Sequence, residues 1–104
     1  MKYKYTGTEE QLIEAGFEPI KDKLQPQQYF WYRKIYKSTR KYYIEILIWI
    51  KCGFTDEWVK NIEIEKHLCN ELFCYSTKKI NSKRYIQDLI EKGLVEVSND
   101  SLGD

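Results

Sequence analysis

Residues 29–50 read YFWYRKIY, then KSTRK, then YYIEILIWI: two runs dense in aromatic and β-branched residues around a short basic segment. Such side chains suit a pleated, half-buried surface and the polar middle suits a turn, so the stretch predicts a β-hairpin. Side chains alternate along a strand. In the second run Tyr42, Ile44, Ile46, Ile48 and Ile50 therefore share one face, and Tyr43, Glu45, Leu47, Trp49 and Lys51 share the other. The first face is uniformly apolar and predicts a core. The second mixes charge with large apolar groups, as a contact surface does. In the first run the alternation permits either Phe30 or Trp31 to face outward.

Working outward, residues 8–17 (TEEQLIEAGF) carry the marks of a short helix at both ends. Thr8 caps it with Gln11 as its capping-box partner, and Glu9 and Glu10 sit where the helix dipole favours negative charge. Gly16 supplies a left-handed exit that places Phe17 against Leu12, and Leu12, Ile13 and Phe17 are expected to face the core. The preceding YKY suggests a short strand. Residues 18–28 contain Pro19 and Pro26 and form a connector with a short strand near residues 19–21.

Beyond the hairpin, whose turn is expected near residues 37–41, Gly53 ends the second strand and Thr55 caps a new element. In residues 56–76 two patterns compete. Trp58, Ile62, Cys69, Leu72 and Phe73 trace a helical stripe, whereas NIEIE alternates like a strand; one long helix is preferred over two shorter elements broken near Glu63. Ser82 is expected to cap a last helix with Tyr85, Ile86, Leu89 and Ile90 inward, closed by Gly93, and Leu94, Val95 and Val97 form a short final strand. The expected fold is α+β. An antiparallel sheet centred on the long aromatic hairpin is packed by a short N-terminal helix and one or two C-terminal helices, as a single domain over residues 1–97 with a flexible tail at 98–104.

The chain has 104 residues, 42% hydrophobic and 15% aromatic, which is enough for one modest core. Its 17 Lys and Arg against 16 Asp and Glu give a net charge of +1, so only local charge patches carry information about partners. The longest apolar run, residues 46–50, is too short to span a bilayer, and MKYKYTGT lacks the apolar region of a signal peptide. Three cysteines, Cys52, Cys69 and Cys74, show no disulfide-framework spacing and read as small buried hydrophobes of a reducing compartment. A cytoplasmic protein without a membrane partner is expected.

The single histidine, His67, has Glu63 and Glu71 four residues to either side. On a helix the three would share a face, which permits acid–base or metal chemistry, but a solvated, salt-bridged face is the plainer account. Adding Cys52, Cys69 and Cys74 does not produce the tight CxxC-type pairing of zinc sites. Phosphate-binding glycine loops, nucleophile elbows and HExxH are missing from the sequence. No catalysis, cofactor or metal is expected.

Two basic clusters remain. Arg33, Lys37, Arg40 and Lys41, with Lys34 among them, surround the hairpin turn amid tyrosines. With Tyr43, Leu47 and Trp49 they make the expected protein-interaction surface, since aromatic and Arg side chains dominate interface energetics. Lys78, Lys79, Asn81, Lys83 and Arg84 lead into the last helix and form an alternative, nucleic-acid-binding set.

The stretch INSKRYIQDLIEKGLVEV resembles the recognition helix and following strand of a winged helix-turn-helix domain. That resemblance implies that Asn81, Ser82, Lys83 and Arg84 would face a major groove. The chain as a whole, with its opening LIEAGFE, central aromatic hairpin and closing YIQDLIEKGLVE, resembles small proteins encoded by phages and prophages of low-GC bacteria. The resemblance implies a non-catalytic inhibitor of a host protein or of a defence complex of protein and nucleic acid, in the manner of anti-CRISPR proteins, acting in the host cytoplasm. Self-association into a homodimer through the aromatic face is the remaining expectation.

Overall fold

A computed structural model describes residues 2–20, 30–52 and 58–98. In chain order they form β1 (Lys2–Tyr5), α1 (Glu9–Glu14), β2 (Glu18–Ile20), β3 (Phe30–Ser38), β4 (Tyr42–Cys52), β5 (Trp58–Cys69) and β6 (Cys74–Lys79). A 3-10 turn (Lys83–Ile86) then runs directly into α2 (Gln87–Glu91), and β7 (Val95–Ser98) follows. The architecture is α+β. All strand pairings are antiparallel in one seven-stranded sheet of order β2-β3-β4-β5-β1-β7, with β6 also on β5.

The sheet turns on β5, where the expected long helix is overturned. Its residues pair with β4 from Cys52↔Trp58 to Tyr42↔Leu68, which places Ile62 opposite Ile48 and Ile64 opposite Ile46. The alternation of NIEIE prevails because β4 offers a matching row of isoleucines and an edge whose backbone groups need partners. Along its other edge β5 is shared, with Tyr3 of β1 opposite Ile62 and β6 paired from Glu65 onward. Of the proposed helical stripe, Ile62 is buried, whereas Leu72 and Phe73 are exposed.

Register assigns Tyr32, Ile44, Ile46, Ile48, Ile62, Ile64 and Tyr3 to one face. These residues belong to a single hydrophobic cluster with Leu12 and Phe17 from the α1 region, Ile86 and Leu89 from the C-terminal helical segment, and Leu94. Ile13 departs from expectation. At 57% exposure it lies outside the core, because a helix of six residues presents only a narrow inner stripe.

Both helices end in the same way. At α1 the Phe17 amide donates to the Leu12 carbonyl and the Gly16 amide to the Ile13 carbonyl, each at 3.0 Å, with Gly16 at φ 96°. At α2 the Leu94 amide donates to Leu89 and the Gly93 amide to Ile90, again at 3.0 Å, with Gly93 at φ 73°. These are complete Schellman closures, and each delivers an apolar residue, Phe17 or Leu94, into the core. The start of α1 carries the expected capping box of Thr8 and Gln11. Ser82 sits at the start of the 3-10 turn but makes no capping hydrogen bond with its side chain. Ser98, expected in the tail, pairs with Lys2 in β7; the rest of that tail, the Gly53 and Thr55 signals and most of the connector lie outside the described residues.

Two measurements test this account. Space around a Gly93 Cβ is open, so Gly93→Ala should destabilise by about 1–2 kcal/mol through backbone strain alone, seen as a lower urea midpoint. Burial raises the phenol pKa of Tyr3, Tyr5 and Tyr32 above the ordinary 10.0, with Glu9 adding to the shift at Tyr32. A phenol whose folded pKa is raised contributes stability below its unfolded value and loses it as pH climbs. Urea midpoints should therefore fall as pH rises above 10.0 through the folded values, and should fall less in Tyr5→Phe.

Candidate interaction surface

On the face of the sheet opposite the core, Tyr43, Glu45, Leu47 and Trp49 alternate along β4, flanked by Arg33 on β3 and by Glu63, Glu65 and His67 on β5. Glu45 is 8% exposed, a charge near the middle of a sheet. Its carboxylate is held from two sides: Arg33 Nε lies 3.0 Å from Oε2, and His67 Nε2 lies 3.1 Å from Oε1. Glu65 adds a second carboxylate 3.6 Å from His67 Nε2. On the other side of the ring Nδ1 lies 3.0 Å from Thr77 Oγ1 of β6. With its N–H on Nε2 donating to Glu45, His67 accepts from the Thr77 hydroxyl through Nδ1.

The Tyr43 ring stacks on the imidazole at 4.3 Å between centroids and 13° between planes. Burial first, then the negative charge of Glu45, raises the Tyr43 phenol. The expected relation of His67 to Glu63 and Glu71 is thus replaced. Those spacings apply to a helix, and in β5 the imidazole instead meets carboxylates on the neighbouring strand and two residues along its own. Among the described residues, no group of three or more His, Cys, Asp or Glu side chains is arranged to hold a metal ion.

This polar chain closes the centre of the face that was expected to present open aromatic area. Tyr43, Leu47 and Trp49 are only half-exposed. Trp49 lines a recess of about 600 Å³ at the β5 edge with Lys2, Asn61, Glu63, Lys79 and Asn81, and Lys79 Nζ reaches Glu63 at 3.6 Å. Of the other alternative residues, Lys78 lies on β6, and Lys83 and Arg84 are exposed in the 3-10 turn, with Arg84 over the Tyr85 ring at 5.1 Å. The segment that resembles a recognition helix is preceded by strand β6.

Three large exposed apolar side chains, Leu72, Phe73 and Tyr75, lie together at one end of the sheet, where two turns lie side by side. In residues 39–41 the Thr39 hydroxyl accepts from the Lys41 and Tyr42 amides at 3.3 and 3.1 Å, while the Thr39 amide donates to Tyr42 O at 2.7 Å. In residues 70–73 Asn70 Oδ1 accepts from the Leu72 and Phe73 amides at 2.8 and 3.0 Å. The Cys69 amide donates to the Lys41 carbonyl at 2.8 Å and ties the two turns together. From this fixed frame Leu72 is 87%, Phe73 59% and Tyr75 58% exposed, with Lys37, Arg40 and Lys41 exposed alongside.

Tyr75 is thrown outward by a register shift: Leu68 faces Ser76, but Cys69 faces Cys74. On the core-side face near the same end, Lys37, Ile44, Lys66 and Lys78 fall in one row across four strands. The ammonium groups of Lys66 and Lys37 lie 4.6 and 5.9 Å from the centroid of the Tyr42 ring.

Sequence reasoning found the basic turn and missed Leu72, Phe73, Tyr75 and Lys66. The available signal was the pair of alternating runs, NIEIEKHLC and CYSTKK, on either side of Asn70, which together describe a second hairpin. No helix among the described residues is long and apolar enough to cross a membrane. Comparison with protein-family models, curated proteins and solved structures returns no match.

Glu45→Ala removes the carboxylate shared by Arg33 and His67. It should lower stability by about 2 kcal/mol in urea unfolding; an unchanged midpoint would show that the polar chain contributes nothing net.

Proposed function

We propose that this chain is a non-catalytic protein-interaction module whose contact surface is the paired turns at residues 39–41 and 70–73. The observation that carries the proposal is the exposure of Leu72 and Phe73 on a hydrogen-bonded turn, with Tyr75 at the start of β6, tethered beside Lys37, Arg40 and Lys41. Folded domains rarely leave such side chains in water without a use, and apolar anchors inside a charged rim are how protein interfaces are built. The matching partner presents an apolar cleft bordered by carboxylates. Preorganisation favours the reading as well, since the Asn70 and Thr39 hydrogen bonds reduce the ordering cost of binding. Tyr43, next to the first turn, acts beneath this surface through its stack on His67, whereas Arg33, Leu47 and Trp49 lie further along the sheet. A small inhibitor that occupies a host protein, of the kind phages encode, has this character.

A second reading rests on the lysine row. Lys66 and Lys78 stand directly opposite each other, an unfavourable pairing in isolation that a polyanion would relieve, and neither ammonium meets a carboxylate among the described residues. The Tyr42 ring between lysines adds a stacking group.

Affinity capture from cell lysate with the wild type, with Leu72→Ser/Phe73→Ser and with Arg40→Glu/Lys41→Glu tests the first reading. Both double variants should lose a partner retained by the wild type while their urea midpoints stay within about 0.5 kcal/mol, because the changed side chains are exposed. Retention of the same partner by both would place the interface elsewhere. In parallel, fluorescence anisotropy of labelled DNA and RNA should show no binding at low salt. Steeply salt-dependent binding abolished by Lys66→Glu/Lys78→Glu would favour the second reading.

A further inference from the structure

We propose that Cys69 and Cys74 form a thiol–disulfide exchange site at the tip of the β5–β6 hairpin, with a low-molecular-weight disulfide as substrate. The register shift after Leu68 is what aligns them; continued pairing from Leu68↔Ser76 would have put Cys69 opposite Tyr75. The Cys69 amide points away from β6 to Lys41 O at 2.8 Å, and the next pair inward on the turn carries the bond from the Asn70 amide to Phe73 O at 3.0 Å. Cys69 and Cys74 therefore occupy a non-hydrogen-bonded position of the ladder. There, opposed Cα atoms approach to about 4.5 Å, within the range of about 4.4–6.8 Å that a disulfide spans. Both thiols are free.

The two sulfurs are unequal. Cys74 is exposed and Cys69 is half-buried. Burial and then the hydrogen bond with Cys74 raise the Cys69 thiol, which makes it the later of the two to react. Cys74 Sγ lies 3.9 Å from His67 Nδ1, and the opposite ring nitrogen is oriented by Glu45 at 3.1 Å. Nucleophile, base and orienting carboxylate thus stand in sequence, with the Thr77 hydroxyl sharing Nδ1. Cys69, facing Cys74, supplies the resolving thiol that directs this constellation towards sulfur exchange.

The steps balance without an additional reagent. Cys74 passes its proton to His67 Nδ1, and the thiolate attacks one sulfur of the small disulfide. That S–S bond breaks, a mixed disulfide forms on Cys74, and one small thiolate leaves and is protonated. Cys69 then loses its proton and attacks Cys74 Sγ, which breaks the mixed disulfide, forms the Cys69–Cys74 bond and releases the second small thiol. Two protein thiols are oxidised to one disulfide and the small disulfide is reduced to two thiols. The bond cross-links the turn that presents Leu72 and Phe73, and its chemistry stands whether or not that turn binds a partner.

The test uses the full chain carrying Cys52→Ser, equilibrated with mixtures of oxidised and reduced glutathione, quenched with acid and read by intact mass and peptide mapping. The expected product is the intramolecular Cys69–Cys74 disulfide, with an equilibrium constant at least roughly tenfold larger in the folded chain than in concentrated urea. Adding Cys69→Ser should trap a glutathione mixed disulfide on Cys74, and adding Cys74→Ser should leave Cys69 largely unreacted. A folded chain that stays a dithiol where the urea-unfolded chain oxidises would overturn the proposal. So would Cys69 reacting as fast alone as Cys74 does alone.

Discussion

The backbone ladder between β4 and β5 is the constraint on which the rest of this structure depends. It runs the full length of β4, from Tyr42 to Cys52, and sets the isoleucine rows Ile46/Ile64 and Ile48/Ile62 against each other. A slip of one residue would turn Ile62 and Ile64 outward and bury Glu63 and Glu65. With the register fixed, the free edge of β5 has to be satisfied as well. It is divided between β1, which brings Tyr3 and Tyr5 to the core and β7 behind them, and β6, which folds back as a hairpin. The helices then close one face through Leu12, Phe17, Ile86 and Leu89.

The other face is organised by charge. Glu45 is deeply buried for a carboxylate, and Arg33 from β3 and His67 from β5 together offset its desolvation. Because His67 also reaches Thr77 on β6, one imidazole links three strands through a central acid, and Tyr43 covers its flat side. Exposed apolar side chains accordingly lie at the end of the sheet and not at its centre, where Leu47 and Trp49 are only half-exposed. At that end, short turns with self-contained hydrogen bonds hold Leu72 and Phe73 in water beside Lys41 and Arg40.

The same geometry brings the two thiols together at the tip. A single-residue shift in the β5–β6 register throws Tyr75 outward and sets Cys69 against Cys74, while the His67 that stabilises Glu45 also comes within reach of the Cys74 thiol. The proposed contact residues, the thiols and the buried acid thus belong to one connected piece of the sheet.

Features governed by neighbours in the chain were legible in the residues themselves. The Thr8–Gln11 cap, the Gly16 and Gly93 exits, the turn between β3 and β4 and the inward Ile44, Ile46 and Ile48 all follow from local dihedral preference, short hydrogen bonds and strand alternation. So did the basic character of residues 37–41, half of the candidate surface. The identity of β5 was not legible, because a helical stripe and a strand alternation coexist in residues 58–69 and only the isoleucine row of β4 chooses between them. The exposure of Leu72 and Phe73, the burial of Glu45 and the meeting of Cys69, Cys74 and His67 all depended on that choice. Each arises from pairing across strands, and pairing energy is not contained in either strand alone.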